Sequence, residues 1–127
     1  MEDNDQVQLI IPTSSPYEEV AQTTVAHLGL RSGFSLKDIE NLRAVMKATT
    51  NMFFTIREWE KPLHINFLFS HKKMQVTVTS QTTKSVGDIA DAIAGFKDFV
   101  SPRVNELVVN SEKSWVVFEV KATDQIS

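Results

Sequence analysis

The sequence predicts an α+β domain, a two-layer sandwich in which a mostly antiparallel sheet of about five strands carries three helices on one face. Three segments have apolar residues at helical spacing, and several short segments alternate with period two. Their order, β-α-α-β-β-α-β-β, lacks the strict βαβ alternation that gives a parallel sheet. At 127 residues, the chain is predicted to be one domain, with a core over about 7–122 and frayed ends.

The N-terminal segments predict a strand followed by a helix. Val7–Pro12 is a short β-type run that is closed by proline. Ser15-Pro16-Tyr17-Glu18 has the form of a capping box with proline at the first helical position. The apolar residues that follow have helical spacing, and Gly29 predicts the end of this first helix.

The second helix is predicted to be the longest, and its residues divide between two faces. Ser35 and Asp38 are predicted to cap it, and the helical pattern runs to about Phe54. At 100° per residue, one broad face is apolar: Ile39, Leu42, Val45, Met46, Thr49 and Phe53. A different face combines two small alanines with two polar residues, which indicates a helix that lines a groove: Ala44, Lys47, Ala48 and Asn51.

The centre of the chain predicts a β-hairpin. His64–Phe69 and Met74–Thr79 alternate with period two, and Ser70–Lys73 joins them. The run His71-Lys72-Lys73 is interpreted as a solvated turn rather than as a binding patch.

The C-terminal third predicts a helix and two closing strands. Ser85 and Asp88 are predicted to cap the third helix, and Ser101-Pro102 to stop it. The closing strands are Glu106–Asn110 and Trp115–Lys121. Because apolar residues occupy both alternating sets of the last strand, that strand is predicted to be covered on both faces.

Composition and charge exclude several classes of function. The net charge is −3 and the pI is near 5.6, which favours neither nucleic acid nor an anionic membrane as a partner. The absence of cysteine excludes disulfides, thiol nucleophiles and thiolate metal sites. His27, His64 and His71 are too scattered to predict a metal site, and no apolar run is long enough to cross a bilayer. The expected location is the cytoplasm.

The segment Leu42–Asn51 is the most informative part of the sequence. It resembles the nucleotide-binding helix of the histidine-kinase-like ATPases, and most closely that of the bacterial anti-sigma serine kinases. The family's motif is similar to A-V-x-E-A-x-x-N, in which the acid activates the acceptor hydroxyl and the asparagine holds magnesium. The asparagine position is filled by Asn51, whereas the acid is replaced by Lys47.

Two further motifs of that family are altered. The family's D-x-G-x-G loop follows the strand that resembles Met74–Thr79, and the matching positions are Ser80, Thr82 and Lys84. Of the family's glycine-rich lid before the third helix, Gly87 alone remains. The resemblance thus implies a remnant nucleotide cleft without its phosphate-binding groups: Lys47, Asn51, Ser80, Thr82 and Gly87.

The resemblance implies a non-catalytic regulatory module that binds a sigma factor or its antagonist and requires neither ATP nor metal. A homodimer is plausible on the same ground. Lys47 is interpreted as an ordinary lysine at the edge of a groove, although it could neutralise a phosphate in place of magnesium. Two other functions stay open: an active protein serine kinase, and a domain that binds another small ligand in the old cleft. Trp59, on the predicted loop after the second helix, is expected to be exposed or to face a partner.

Overall fold

The computed structural model describes residues 5–13, 15–56, 62–80, 90–110 and 115–123. Within them, the strands are β1 (Asp5–Ile11), β2 (Leu63–Ser70), β3 (Lys73–Thr79), β4 (Glu106–Asn110) and β5 (Trp115–Lys121). The helices are α1 (Glu18–Arg31), α2 (Leu36–Ile56) and α3 (Ala90–Val100). The predicted α+β fold class is confirmed.

The five strands form one antiparallel sheet with the order β1-β2-β3-β5-β4. β2 and β3 form the predicted hairpin, with Ser70 opposite Lys73 and a two-residue turn between them. β4 and β5 pair at one edge of the sheet, and β1 forms the other edge by pairing with β2. The sheet order places β5 between β3 and β4, so the C-terminal strand is internal.

One face of the sheet forms the floor of the hydrophobic core. The register aligns a row across all five strands that is apolar throughout: Val7, Phe67, Val76, Phe118 and Leu107. Alternate residues of β2, β3 and β5 are buried, which is the period-two pattern of a sheet with one covered face. The residues between them are partly buried or exposed. β5 is therefore fully covered on one face only, since Trp115 and Val117 on the other face are partly buried and keep part of their surface in solvent.

The helical layer is centred on α2, which packs against α1 and against α3. Its predicted apolar face is buried, and Leu42, Val45, Met46 and Thr49 are fully enclosed. The Thr49 hydroxyl donates to the carbonyl oxygen of Val45 at 2.7 Å, so its burial leaves no polar group unsatisfied. α2 thus joins the two flanking helices into one layer over the sheet.

The start of α1 differs from its prediction. Residues Ser15–Tyr17 form a 3₁₀ turn, and the helix begins at Glu18 after Tyr17, which makes no side-chain capping hydrogen bond. The α-helix thus begins three residues after Ser15, and the Ser15 side chain of the predicted capping box lies outside what the structure describes. α1 also runs to Arg31, two residues past Gly29. Gly29 instead allows a close approach to α2, since a Cβ there would lie 3.1 Å from Leu42 and 3.3 Å from Ile39.

The turn between α1 and α2 is bound to the β2–β3 hairpin. Gly33 has a φ of +89°, in the left-handed region. The backbone amide of Lys72, in the hairpin turn, donates to the carbonyl oxygen of Ser32 at 2.6 Å, and the amide of Ala122 donates to the carbonyl oxygen of Lys72 at 2.9 Å. One end of the helical layer is thereby attached to the sheet by main-chain hydrogen bonds.

Substituting Gly33 is expected to weaken this end of the fold. A Cβ at Gly33 would lie 3.1 Å from the Cε1 atom of His71, and the left-handed conformation costs an L-residue about 1–2 kcal/mol. We expect Gly33→Ala to lower the free energy of unfolding by about 1–2 kcal/mol, measured by urea denaturation. The control is Gly95→Ala in α3, where a Cβ meets nothing within 4 Å; it should raise stability by about 0.5–1 kcal/mol. Equal effects at the two glycines would contradict the prediction.

Candidate functional site

The predicted groove-lining face of α2 does line a groove. Ala44, Lys47, Ala48 and Asn51 border a depression of about 340 Å³ together with Phe99 of α3. These four residues lie on one side of α2 because helical neighbours recur every three to four positions. The next face of the same helix is buried in the core, so the groove lies at the boundary between core and solvent.

A second lobe of about 280 Å³ continues the depression along the two helices. Both lobes share Ala48, Asn51 and Phe99, and the second is also lined by Met52 and Asp91. The two lobes therefore form one feature, which we call the α2–α3 groove. Between positions 44 and 52, α2 advances about 12 Å at 1.5 Å per residue.

The two walls of the groove run in opposite directions. The lobe at Ala44, early in α2, is lined by Phe99 from the end of α3, whereas Asp91 from the start of α3 lies in the lobe at Met52. A hydrogen bond supports this arrangement, since the side-chain amide nitrogen of Asn41 donates to the carbonyl oxygen of Arg103 at 2.7 Å. α3 thus lies antiparallel to α2 along the groove.

The α3 wall of the groove contains Gly95, which has no side chain, and Phe99, whose ring contacts Arg103. A Cβ added at Gly95 meets nothing within 4 Å, so the groove is open there. The Phe99 ring is 39% exposed, and the Arg103 guanidinium lies 3.8 Å from its centroid, a cation–π contact. Arg103 also donates to the carbonyl oxygen of Phe99 at 2.6 Å. These contacts hold the exposed ring in position beside both lobes.

Charge is distributed unevenly along the groove. Lys47 lines the lobe at Ala44, and Asp91 lines the lobe at Met52. Both side chains are exposed, while the floor between them is mostly apolar. The groove therefore presents a cation towards one end and an anion towards the other.

The other predicted cleft residues do not all meet at this groove. Lys47 and Asn51 line it, but Ser80, at the end of β3, is 95% buried with only 5% of its surface exposed, and it lines neither lobe. Thr82, Gly87 and the predicted caps of the third helix lie outside the described residues, as does Trp59. Their assignment to a remnant cleft remains a prediction.

Sequence reasoning missed the α3 wall. The apolar residues with helical spacing in this part of the sequence are Ile89, Ile93, Phe96 and Val100, and of these Phe96 and Val100 are buried. Gly95 and Phe99 lie four residues apart, on the adjacent face. The sequence signal that could have identified this face is a glycine followed four residues later by a phenylalanine outside the apolar stripe.

Searches of protein-family models and of the curated proteins find no match to this chain. Among the helices that the structure describes, none has the length and apolar character needed to cross a membrane. Within the same described ranges, His, Asp and Glu side chains do not converge in a group of three or more that could hold a metal ion.

Proposed function

We propose that this chain is a non-catalytic regulatory module that binds a protein, similar to an anti-sigma factor, and acts in the bacterial cytoplasm without ATP. The observation that carries the proposal is the position of Lys47. It lies exposed on the α2–α3 groove, beside Asn51. In the family that the sequence resembles, an acid occupies this position and activates the acceptor hydroxyl.

The lysine side chain changes what this position can do. An ammonium group has no lone pair with which to accept a proton, and it repels a divalent cation held nearby. General-base catalysis contributes typically about 10²–10⁴-fold to a rate. Replacing the acid by Lys47 removes that contribution and leaves Asn51 without an anionic neighbour at the i−4 position.

The resemblance suggests the partner. Anti-sigma kinases bind a sigma factor or an antagonist protein, so we propose that this chain binds one of these two classes; a homodimer is the second association that the resemblance suggests. The acidic character of the chain, with a net charge of −3, favours a protein over a nucleic acid as partner.

The loss of ATP binding is the first testable consequence. We expect titration calorimetry with MgATP at about 1 mM to give no binding heat, corresponding to a Kd weaker than about 1 mM. The variant Lys47→Glu restores the acid that the family carries at this position. It should also fail to bind, because Ser80 is buried and replaces the aspartate that receives the adenine amino group in that family.

Micromolar binding of MgATP by the wild-type protein would refute the nucleotide-free proposal. Transfer of labelled phosphate from ATP to a partner serine would establish the serine kinase instead. The partner class is tested separately by measuring binding to purified sigma factors and antagonist proteins of the source organism. The absence of binding to any of them at about 10 μM would remove the partner assignment.

A small-ligand function is the second candidate, and the groove volume favours it. The larger lobe of about 340 Å³ lies at the lower end of the range of about 300–1,000 Å³ for small-molecule sites. A metabolite that binds there must raise the melting temperature in a thermal-shift screen. The same metabolite must not raise the melting temperature of a variant in which a larger side chain at position 95 fills the groove.

A further inference from the structure

The walls of the α2–α3 groove restrict what can bind in it. Both walls are α-helices whose main-chain amides and carbonyls are used within the helix, away from the ends. An extended peptide lying in the groove would bury its own main-chain groups without partners, at a free-energy cost. A helical segment satisfies its main chain internally and contacts the groove through side chains alone.

The side chains along the groove permit a close approach. Ala44 and Ala48 are the small residues of the α2 wall, and Gly95 leaves the facing wall open. The partly exposed Phe99 ring, held by Arg103, provides apolar surface to both lobes. A groove of this kind can receive apolar side chains that project from one face of a helix at i and i+4 spacing.

The two charges at the groove define the polarity of its occupant. Lys47 lies in the lobe at Ala44, and Asp91 lies in the lobe at Met52. A complementary segment carries an acidic side chain towards Lys47 and a basic side chain towards Asp91. Complementary charges of this kind orient a partner and speed its association.

We propose that the α2–α3 groove binds an amphipathic helix of a partner protein, with an acidic residue towards Lys47 and a basic residue towards Asp91. This rests on the proposed function of the chain as a protein-binding module, and it identifies the surface and the partner segment. The groove length of about 12 Å corresponds to about two turns of the incoming helix.

Gly95 offers a sharp test of this site. Gly95→Leu puts a side chain into the open part of the groove, whereas Ala94→Leu adds similar bulk at the neighbouring exposed position, which does not line the groove. Both variants should keep the wild-type circular dichroism spectrum and a melting temperature no lower than that of the wild type. The probe is a displayed library of helix-forming peptides of about 15 residues, selected on the wild-type protein.

We expect the selected peptides to bear an apolar i, i+4 stripe with one acidic and one basic end. Their affinity should fall at least tenfold for Gly95→Leu and stay within about twofold for Ala94→Leu. Lys47→Glu should weaken them, and peptides with the two charges exchanged should bind that variant better than they bind the wild type. Equal binding to wild type and Gly95→Leu, or selection of no helical peptide, would overturn the proposal.

Other occupants give different results. In one such result, a metabolite stabilises the wild type but not Gly95→Leu, while no helical peptide is selected. That result would assign the groove to a small molecule instead of a helix. A wild-type dimer that dissociates in Gly95→Leu would assign the groove to a second copy of the chain. A sigma factor or antagonist that binds Gly95→Leu as well as the wild type would overturn this inference and leave the proposed function intact. Binding of MgATP would refute the nucleotide-free part of the proposed function, and the peptide measurements would still decide this inference.

Discussion

Phe67→Ala is expected to lower the free energy of unfolding by about 3–5 kcal/mol, the range for removing a fully buried phenylalanine. Phe67 lies in β2 and is completely enclosed. Its neighbours in the sheet register are Val7 and Val76, within the apolar row that crosses all five strands. These positions are fixed by strand pairing, so the surrounding structure can close only part of the cavity.

The adjacent residue of β2 provides the control. Leu68 points to the opposite face of the sheet, where it is only partly buried and lies opposite Gln6 and Gln75. Leu68→Ala should cost less than about 1.5 kcal/mol. Urea denaturation of both variants measures the difference. Similar losses in the free energy of unfolding for the two variants would show that the sheet does not have one covered and one open face.

The sheet was largely predictable because its signals are local. Period-two alternation identified β2 and β3, and the short polar run Ser70–Lys73 between them predicted the hairpin. The strand pairing reduces the turn itself to two residues. The covering of β5 was not predictable from its pattern. Trp115 and Val117 have the same apolar character as Val116 and Phe118, and only the layer of helices determines which set is buried.

The predicted start of α1 differs from the observed start because the local pattern is ambiguous. Ser15-Pro16-Tyr17-Glu18 satisfies the residue preferences of a capping box, but the same residues are compatible with a 3₁₀ turn, which the chain forms before Glu18. A helix-capping preference contributes about 1 kcal/mol to stability. Preferences of this size do not by themselves fix the residue at which the first helix begins.

One wall of the candidate site could be predicted, and the other could not. The spacing of Ala44, Lys47, Ala48 and Asn51 defines a face of a single helix, which is local information. The opposite wall depends on where α3 docks and in which direction it runs. Phe99 and Asp91 become groove residues only through that tertiary arrangement. Ser80 illustrates the converse, because the family resemblance placed it in a cleft, whereas it is buried at the end of β3.

Asp38 joins the start of α2 to the chain beyond β5. It is buried, with 7% of its surface exposed. Its carboxylate accepts hydrogen bonds from the backbone amide of Thr123, at 3.0 Å, and from the Thr123 hydroxyl. The Asp38 amide in turn donates to Ser35 Oγ at 3.2 Å, the predicted capping arrangement of α2. One carboxylate thus connects the helical layer to the C-terminal end of the sheet.

The pKa of Asp38 reflects these contacts. Burial raises the pKa, but the hydrogen bonds from Thr123 and Ser35 together lower it more, so the pKa lies below the ordinary value of 3.8. A pKa that is lower in the folded state than in the unfolded state favours folding when the group is ionised. The contribution of Asp38 is therefore complete above pH 3.8 and is lost as the pH falls through the lower pKa of the folded state.

We expect Asp38→Ala to lower the free energy of unfolding by about 2–3 kcal/mol at pH 7, since hydrogen bonds to a charged group contribute about 1.5–3 kcal/mol. Thr123→Val removes the hydroxyl donor alone and should cost about 1 kcal/mol. The double variant should lose less free energy of unfolding than the sum of the two single losses, because both changes remove the same contact.

Chemical denaturation at pH 7 and at about pH 2 measures these effects. The difference in free energy of unfolding between wild type and Asp38→Ala should be smaller at the lower pH, because protonation removes the charge that the hydrogen bonds stabilise. A gap of the same size at both pH values would mean that Asp38 acts through packing and not as a carboxylate. Additive costs in the double variant would mean that Thr123 is not the group through which Asp38 connects α2 to the sheet.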